Sequence, residues 1–350
     1  MRASARRAGV STSVDGPHTW FLAADPELAG GSGVFGLSPP VLFFALGVVA
    51  SLVKSNLRMP KALTKGLSLY LMWAIGFKGG VELARDGLST QGLVAIGLAV
   101  AFAFLVPLVC FPVLRRLTDR ANAAALTAVY GSVSVVTFLT AVAMLRERGI
   151  ESGGHMVAAM TLMEFPAIVV GLALLRMGDA PTPGTAPARR WGFLLHESLL
   201  NGPVLLLLGS LSIGVLTGEH GYRVFKPLCN DIFPGVLAFF LLDMGLLAAA
   251  RLRDILTIPK SLVVFGVGAP VVNGILALGA AKHLGVGLGD GILLGVLAAS
   301  ASYIAAPAAL RLAVPQAKPS LYISLALGVT FPFNITVGIP LLAGIAQRIW

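Results

Sequence analysis

The sequence is short of charge, of cysteine and of clustered histidine, and each shortage excludes a class of protein. Asp, Glu, Lys and Arg make up 12% of its 350 residues, about half the share of a soluble globular domain. An ordinary water-soluble fold is therefore excluded. Two cysteines, Cys110 in an apolar run and Cys229 in a connector, supply neither a disulfide framework nor a metal site. The histidines His155, His196, His220 and His283 show no ligand spacing and are expected near segment ends. No metalloprotease or Gly-x-Ser-x-Gly pattern occurs, and His196-Glu197-Ser198 is not a triad signal, so no enzyme class is indicated. The first 36 residues lack a continuous apolar core. They are expected to form a disordered tail, not a cleavable signal peptide.

What the chain has in quantity is apolar length. Hydrophobic residues make up 56% and the mean hydropathy is +0.86. Runs of about 20 apolar residues recur to the C-terminus, the mark of a polytopic helical membrane protein. They are continuous and do not alternate, which disfavours a β-barrel. The runs predict ten segments, near residues 37–53, 66–77, 91–113, 123–144, 155–175, 197–217, 232–250, 261–281, 288–310 and 320–346. The second is short and is expected to be interfacial or tilted. Four blocks follow: a tail over 1–36, a first five-helix repeat over 37–176, a Pro-rich cytoplasmic linker over 177–195 and a second repeat over 196–350.

The net charge of +10 sits at segment ends and reads as a topology signal, with no nucleic-acid partner implied. One set of alternate loops carries Lys54, Arg58, Lys61, Lys65, Arg115, Arg116, Arg120, Arg189 and Arg190 among others. The opposite set, with Lys78, Arg85, Arg146, Arg148, Arg223 and Lys226, is poorer. By the excess of Lys and Arg on cytoplasmic loops, the linker lies inside and both termini outside, periplasmic in a bacterial inner membrane.

Five features recur in order at offsets of 163 to 168 residues: Pro40 with Pro203, Gly79 and Arg85 with Gly245 and Arg251, Pro107 with Pro270, Ser132 and Ser134 with Ser300 and Ser302, and Phe165-Pro166 with Phe331-Pro332. Units of five segments are odd, so the second copy begins from the opposite side and the halves are inverted. Inverted repeats are the usual basis of alternating access, although some channels share the symmetry.

The stretch Ala298-Ala299-Ser300-Ala301-Ser302-Tyr303-Ile304-Ala305-Ala306-Pro307 is small and weakly polar inside a very apolar region. Its echo is Gly131-Ser132-Val133-Ser134-Val135-Val136-Thr137. Small hydroxyl residues let membrane helices pack closely, and they also suit helices unwound around a midplane site. Duplication favours the site. Half-helix N-termini meeting there hold a small anion without a buried Lys or Arg. Glu164, deep in the fifth segment, is expensive in a membrane and points to a cation or proton site, or to a protonated structural role. Asn334 follows Pro332 in the matching region, and Asp243 is a weaker candidate, equally suited to a scaffold contact.

At these motifs the chain resembles the sodium-dependent bicarbonate transporter family of cyanobacteria and other bacteria. The resemblance rests on Gly131-Ser132-Val133-Ser134, Met163-Glu164-Phe165-Pro166, His196-Glu197-Ser198-Leu199-Leu200-Asn201-Gly202-Pro203, Ala298-Ala299-Ser300-Ala301-Ser302, Leu310-Arg311 and Ile339-Pro340-Leu341. It implies ten helices in two inverted five-helix repeats, a core and a gate domain, a homotrimer, and sodium-coupled uptake of bicarbonate. It also implies a cytosolic PII-like regulator. The implied substrate positions are Gly131, Ser132, Ser134, Ser300, Ala301 and Ser302; those for the sodium ion are Thr137, Glu164, Tyr303 and Asn334, with Asp243 beside them. The chain departs from the cyanobacterial pattern at Glu164 (an Asp there), Ala301 (a Ser), Tyr303 (an acid) and Val136 (a Ser). Leu325-Ala326-Leu327 also replaces a polar run. These changes remove oxygens from the cation site above all, so another small carboxylate, or protons in place of sodium, stands as the alternative.

Overall fold

The computed structural model describes residues 38–164, 166–177 and 202–350. The tail, Phe165, nearly all of the expected linker and the motif from His196 to Asn201 lie outside the described residues. Among the described residues every regular element is helical. In chain order these are α1 (Pro39–Leu52), α2 (Lys61–Asp86), α3 (Thr90–Leu117), α4 (Arg120–Gly131), α5 (Val135–Glu147), α6 (His155–Met163), α7 (Pro166–Arg176) and α8 (Gly202–Lys226). There follow α9 (Phe233–Ala250), α10 (Leu252–Ile255), α11 (Lys260–His283), α12 (Leu288–Ala298), α13 (Ala305–Ala313), α14 (Pro319–Leu325), α15 (Phe331–Phe333) and α16 (Ile339–Ile349). π-helical turns at Pro227–Asp231, Ala326–Thr330 and Asn334–Gly338 join neighbouring helices.

Among the described residues six stretches are long and apolar enough to cross a membrane: Thr90–Leu117, Arg120–Glu147, His155–Arg176, Phe233–Ile255, Lys260–His283 and Pro319–Ile349. Pro39–Leu52 and Leu288–Ala298 are shorter apolar helices.

Local chemistry sets the boundaries. Ser89 caps α3 by accepting from the Gly92 amide at 3.0 Å, and Asp119 caps α4 by accepting from the Asn122 amide at 3.0 Å; such caps satisfy amides that no preceding turn can reach. Prolines open α1 and α14, where the missing N–H costs nothing. Pro107 and Pro270 sit inside α3 and α11.

Two expectations need correction. The second segment is not a short interfacial piece but α2, a helix of 26 residues. Lys61, Lys65 and Lys78 dilute its hydropathy while the helix continues through them. Lys78 is accordingly not a loop residue: it is buried within α2, and its Nζ donates to Asn230 Oδ1 at 3.1 Å. His155 is at a segment end, as expected. It is buried at the start of α6 with Nε2 3.0 Å from Asp290 Oδ2, whereas His220 and His283 are exposed.

Two helix pairs pack more extensively than any others, α2 with α8 and α1 with α9. Each rests on facing glycines. A Cβ on Gly47 would lie 2.1 Å from the Leu242 carbonyl oxygen and one on Gly245 2.2 Å from that of Phe44. In the other pair, Gly80 would meet the Leu211 oxygen at 2.0 Å and Gly214 that of Phe77 at 2.1 Å. Gly80, and not Gly79, is therefore the glycine that faces a neighbouring helix backbone, as Gly245 does; a Cβ on Gly79 would meet the Val157 side chain instead.

α4, α5 and α12 are largely buried, whereas α13 is partly exposed. Two reciprocal bonds tie their outer ends. Asn122 Oδ1, in the first turn of α4, accepts from the Lys318 amide at 2.8 Å, just before α14. Asp290 Oδ1, in the first turn of α12, accepts from the Gly153 amide at 2.7 Å, just before α6.

Candidate functional site

Both serine pairs interrupt helices, and the two interruptions meet. α4 ends at Gly131, Ser132 and Ser134 are extended (φ −84° and ψ 173°; φ −107° and ψ 109°), and α5 begins at Val135. Gly131 is small because a Cβ there would lie 2.3 Å from Cγ of Pro107 on α3. In the second half the helix stops at Ala298 and resumes at Ala305. The Ser134 amide donates to Ser300 Oγ at 3.0 Å, and the Ser302 amide donates to the Val129 carbonyl at 2.9 Å. Backbone groups freed by unwinding are thus satisfied across the break, as the membrane interior demands.

The four serines divide by task. Ser132 Oγ donates to the Glu164 carbonyl at 3.0 Å, and Ser300 Oγ donates to the Leu297 carbonyl at 2.9 Å while accepting from Ser134. Both are committed to the backbone. Ser134 Oγ accepts from the Thr137 amide at 3.2 Å and from Thr137 Oγ1 at 2.9 Å, and Ser302 Oγ accepts from the Ala306 amide at 3.1 Å. A hydroxyl that only accepts keeps its own proton for another partner. Ser302 holds such a proton at the start of a half-helix, and the Ser134 hydroxyl has the Tyr303 phenol beside it.

A cavity of about 200 Å³ opens at this crossing. Ser134, Val136 and Glu164 line it from the first half, Ser302, Tyr303 and Ala305 from the second. Its other wall is Ser68, Leu71 and Met72 of α2 with Phe240 of α9. The first turns of α5 and α13, with the amides that a helix start leaves unpaired, border it. Tyr303 is buried, its ring packs edge-on to Phe331 with centroids 5.3 Å apart, and its hydroxyl neighbours the Ser134 side chain at the cavity wall.

Of the residues singled out from sequence, the structure brings Ser134, Ser302, Glu164 and Tyr303 to the cavity wall, with Thr137 directly behind Ser134. Gly131, Ser132, Ser300 and Ala301 are buried beside it and shape it from behind. Asn334 lies further off, its Nδ2 donating to the Ala299 carbonyl at 2.8 Å and its Oδ1 buried without a partner among the described residues. Asp243 is elsewhere: it accepts from Thr64 Oγ1 in the contact between α9 and α2. The wall from α2 and α9 was not foreseen. Leu71, Met72 and Phe240 are apolar residues within apolar helices, and no sequence signal marks which of them faces a cavity.

Two more ties fix the breaks. Ser132 anchors the first to the interruption of α6 and α7 at Glu164, while Asn334 anchors the second to the π-helical turns on either side of Phe331 and Pro332. Such turns recur at functional sites because they free backbone groups locally. Beneath them Thr330 Oγ1 donates to the Gly266 carbonyl at 2.7 Å, which leaves Tyr130 to donate to Thr330 at 2.6 Å.

The family model of the Na+-dependent bicarbonate transporter superfamily matches residues 39–347, nearly the whole described chain. The chain belongs to the Na+-dependent bicarbonate transporter superfamily. No curated protein matches it. Membership in this superfamily, with several helices able to cross a bilayer, makes it a multi-pass membrane protein of a transporter family.

Proposed function

We propose that the protein is a secondary active transporter of a small carboxylate-type anion, bicarbonate first, taken up with sodium. The observation that carries this is the pair of half-helix starts, each bearing a serine hydroxyl at its cap, facing one cavity that is also lined by a carboxylate, Glu164. Helix N-termini and hydroxyl protons favour a negative charge. An ionised Glu164 opposes it. At a separation on the order of 6 Å and an effective dielectric of about 20, two negative charges repel by about 3 kcal/mol. That repulsion is roughly a hundredfold in affinity. A sodium ion or a proton at Glu164 cancels it, so anion and cation bind better together than apart, which is the thermodynamic content of symport.

The architecture proposed is ten membrane helices in two inverted five-helix repeats joined by a cytoplasmic linker, with both termini periplasmic and three copies assembled. Its support is that two kinds of contact occur twice with the halves exchanged. Gly47 with Gly245 matches Gly214 with Gly80, and Asn122 with Lys318 matches Asp290 with Gly153. On this arrangement α1, α2, α8 and α9 form a scaffold, and the body holding the two breaks moves against it.

The test is uptake of radiolabelled bicarbonate by proteoliposomes under an inward sodium gradient, a pH gradient or neither. Accumulation above the outside concentration, only with the sodium gradient, is expected. Glu164→Gln is expected to lower sodium-driven accumulation at least tenfold. Equilibration without accumulation under every gradient would identify a passive channel and overturn the proposal.

A further inference from the structure

Two buried ionisable residues flank the cavity on the wall that α2 and α9 provide, and the transport step proposed above uses neither. Lys78 and Asp243 are each 4% exposed. Lys78 follows the cavity-lining Leu71 by seven residues on α2, which places it on the same face about 10 Å further along the helix. Asp243 follows Phe240 by three residues on α9, and its partner Thr64 precedes Ser68 by four on α2. Both lie about one turn beyond the cavity, in the direction opposite to Lys78. The two contacts are mates. Lys78 Nζ donates to Asn230 Oδ1 at 3.1 Å, and Thr64 Oγ1 donates to Asp243. Asn230 stands 166 residues after Thr64 and Asp243 stands 165 after Lys78, the spacing of the repeat. Each contact ties α2 to α9 or to the turn that leads into it. A tie alone needs no charge, since two neutral side chains make the bond without the cost of burying an ion. Yet the mates carry opposite signs.

We infer that Lys78 and Asp243 make the anion site sided: the cation draws the anion in at the face where α2 ends, and the acid weakens its hold at the face where α2 begins. This rests on the transport reading above, in which α2 ends at the periplasmic face and the body holding the breaks moves along a fixed wall. Neither residue touches the anion; both act through the field that a low-dielectric wall focuses on the cavity. The other charges near Lys78 lie further out. Glu82 is one turn beyond it on α2, Arg146 is exposed at the end of α5, and Asp231, which accepts from Asn230 Nδ2 at 3.1 Å, is exposed. The charge nearest the cavity on that side is therefore positive. One unit charge about 10 Å away, across an effective dielectric of about 20, changes anion affinity roughly tenfold. Glu82 takes part of this back, so about threefold or more is expected to remain at the outer face.

The experiment measures KM for labelled bicarbonate with the full chain in right-side-out and in inverted membrane vesicles, at saturating sodium. The wild type is expected to show the lower KM from the periplasmic side. Lys78→Gln is expected to raise that KM about threefold or more and to leave KM from the cytoplasmic side unchanged, while Lys78→Arg keeps the wild-type value. Asp243→Asn is expected to lower KM from the cytoplasmic side by a similar factor and to leave the periplasmic value alone. Asn230→Ala and Thr64→Val separate field from fold. Each removes a tie and keeps its charge, so each is expected to lower the melting temperature with the ratio of the two KM values intact. Equal KM from both sides in the wild type, a charge variant that moves both values alike, or a tie variant that abolishes the sidedness overturns this inference and leaves anion transport standing. No saturable bicarbonate uptake from either side overturns both.

Discussion

Replacing Ser134 and Ser302 together by alanine is expected to reduce anion uptake at least a hundredfold. Each hydroxyl accepts from the following half-helix and lies on the cavity wall. A hydrogen bond to a charged partner contributes about 1.5–3 kcal/mol, so each single variant loses roughly tenfold or more and the losses multiply if the donors act independently. Alanine at 134 also removes the cap of α5, which costs about 1 kcal/mol of stability. Ser134→Gly separates the two effects, because glycine at a cap costs only a few tenths yet lacks the hydroxyl. It should melt near the wild type and still lose most uptake. Ser132→Ala is a different case. Its hydroxyl is spent on the Glu164 carbonyl, so its replacement is expected to disturb how Glu164 is held and not to delete an anion donor. Wild-type uptake by a folded double variant would remove the serines from the binding site.

Leucine at Gly214 or Gly80 is expected to leave no folded, monodisperse protein. The atom in the way is in each case a backbone carbonyl of a neighbouring helix, 2.1 Å and 2.0 Å from the would-be Cβ. A side chain can rotate aside; a helical carbonyl cannot without moving its helix. Overpacking usually costs about 1–3 kcal/mol, and alanine at either site should reach the top of that range, read as a fall in melting temperature in detergent. Gly209 is the control on the same helix. Nothing lies within 4 Å of a Cβ there, so Gly209→Ala should be neutral or stabilise by about 0.5–1 kcal/mol. Equal melting temperatures for Gly214→Ala and Gly209→Ala would mean that α2 and α8 are not in the close contact described.

What the sequence made legible follows from which signals are local. Serine pairs flanked by glycine and proline stand out in an apolar chain because lipid-facing helices have no use for them, and duplication distinguished them from packing. The same locality explains the errors. The lysines of α2 hid a helix that tolerates them, since Lys78 finds Asn230 across 152 residues of chain. Asp243 announced that it needs a partner but not which one; Thr64 is 179 residues away. Gly79 and Gly80 are indistinguishable in sequence, and only packing shows that the second faces Leu211. The apolar wall of the cavity left no trace at all, because Leu71, Met72 and Phe240 look like any other core residue until α2 and α9 are seen beside the breaks.

Cysteine placed singly at Ser134 and at Ser302, and labelled from each side of an oriented vesicle, addresses the shared cavity most directly. If the two breaks line one pocket that opens alternately, each cysteine should react from both sides, with the balance shifting when sodium is added and the anion protecting both. Labelling from one side only under every ion condition, or protection of one cysteine without the other, would contradict a common site that crosses the membrane.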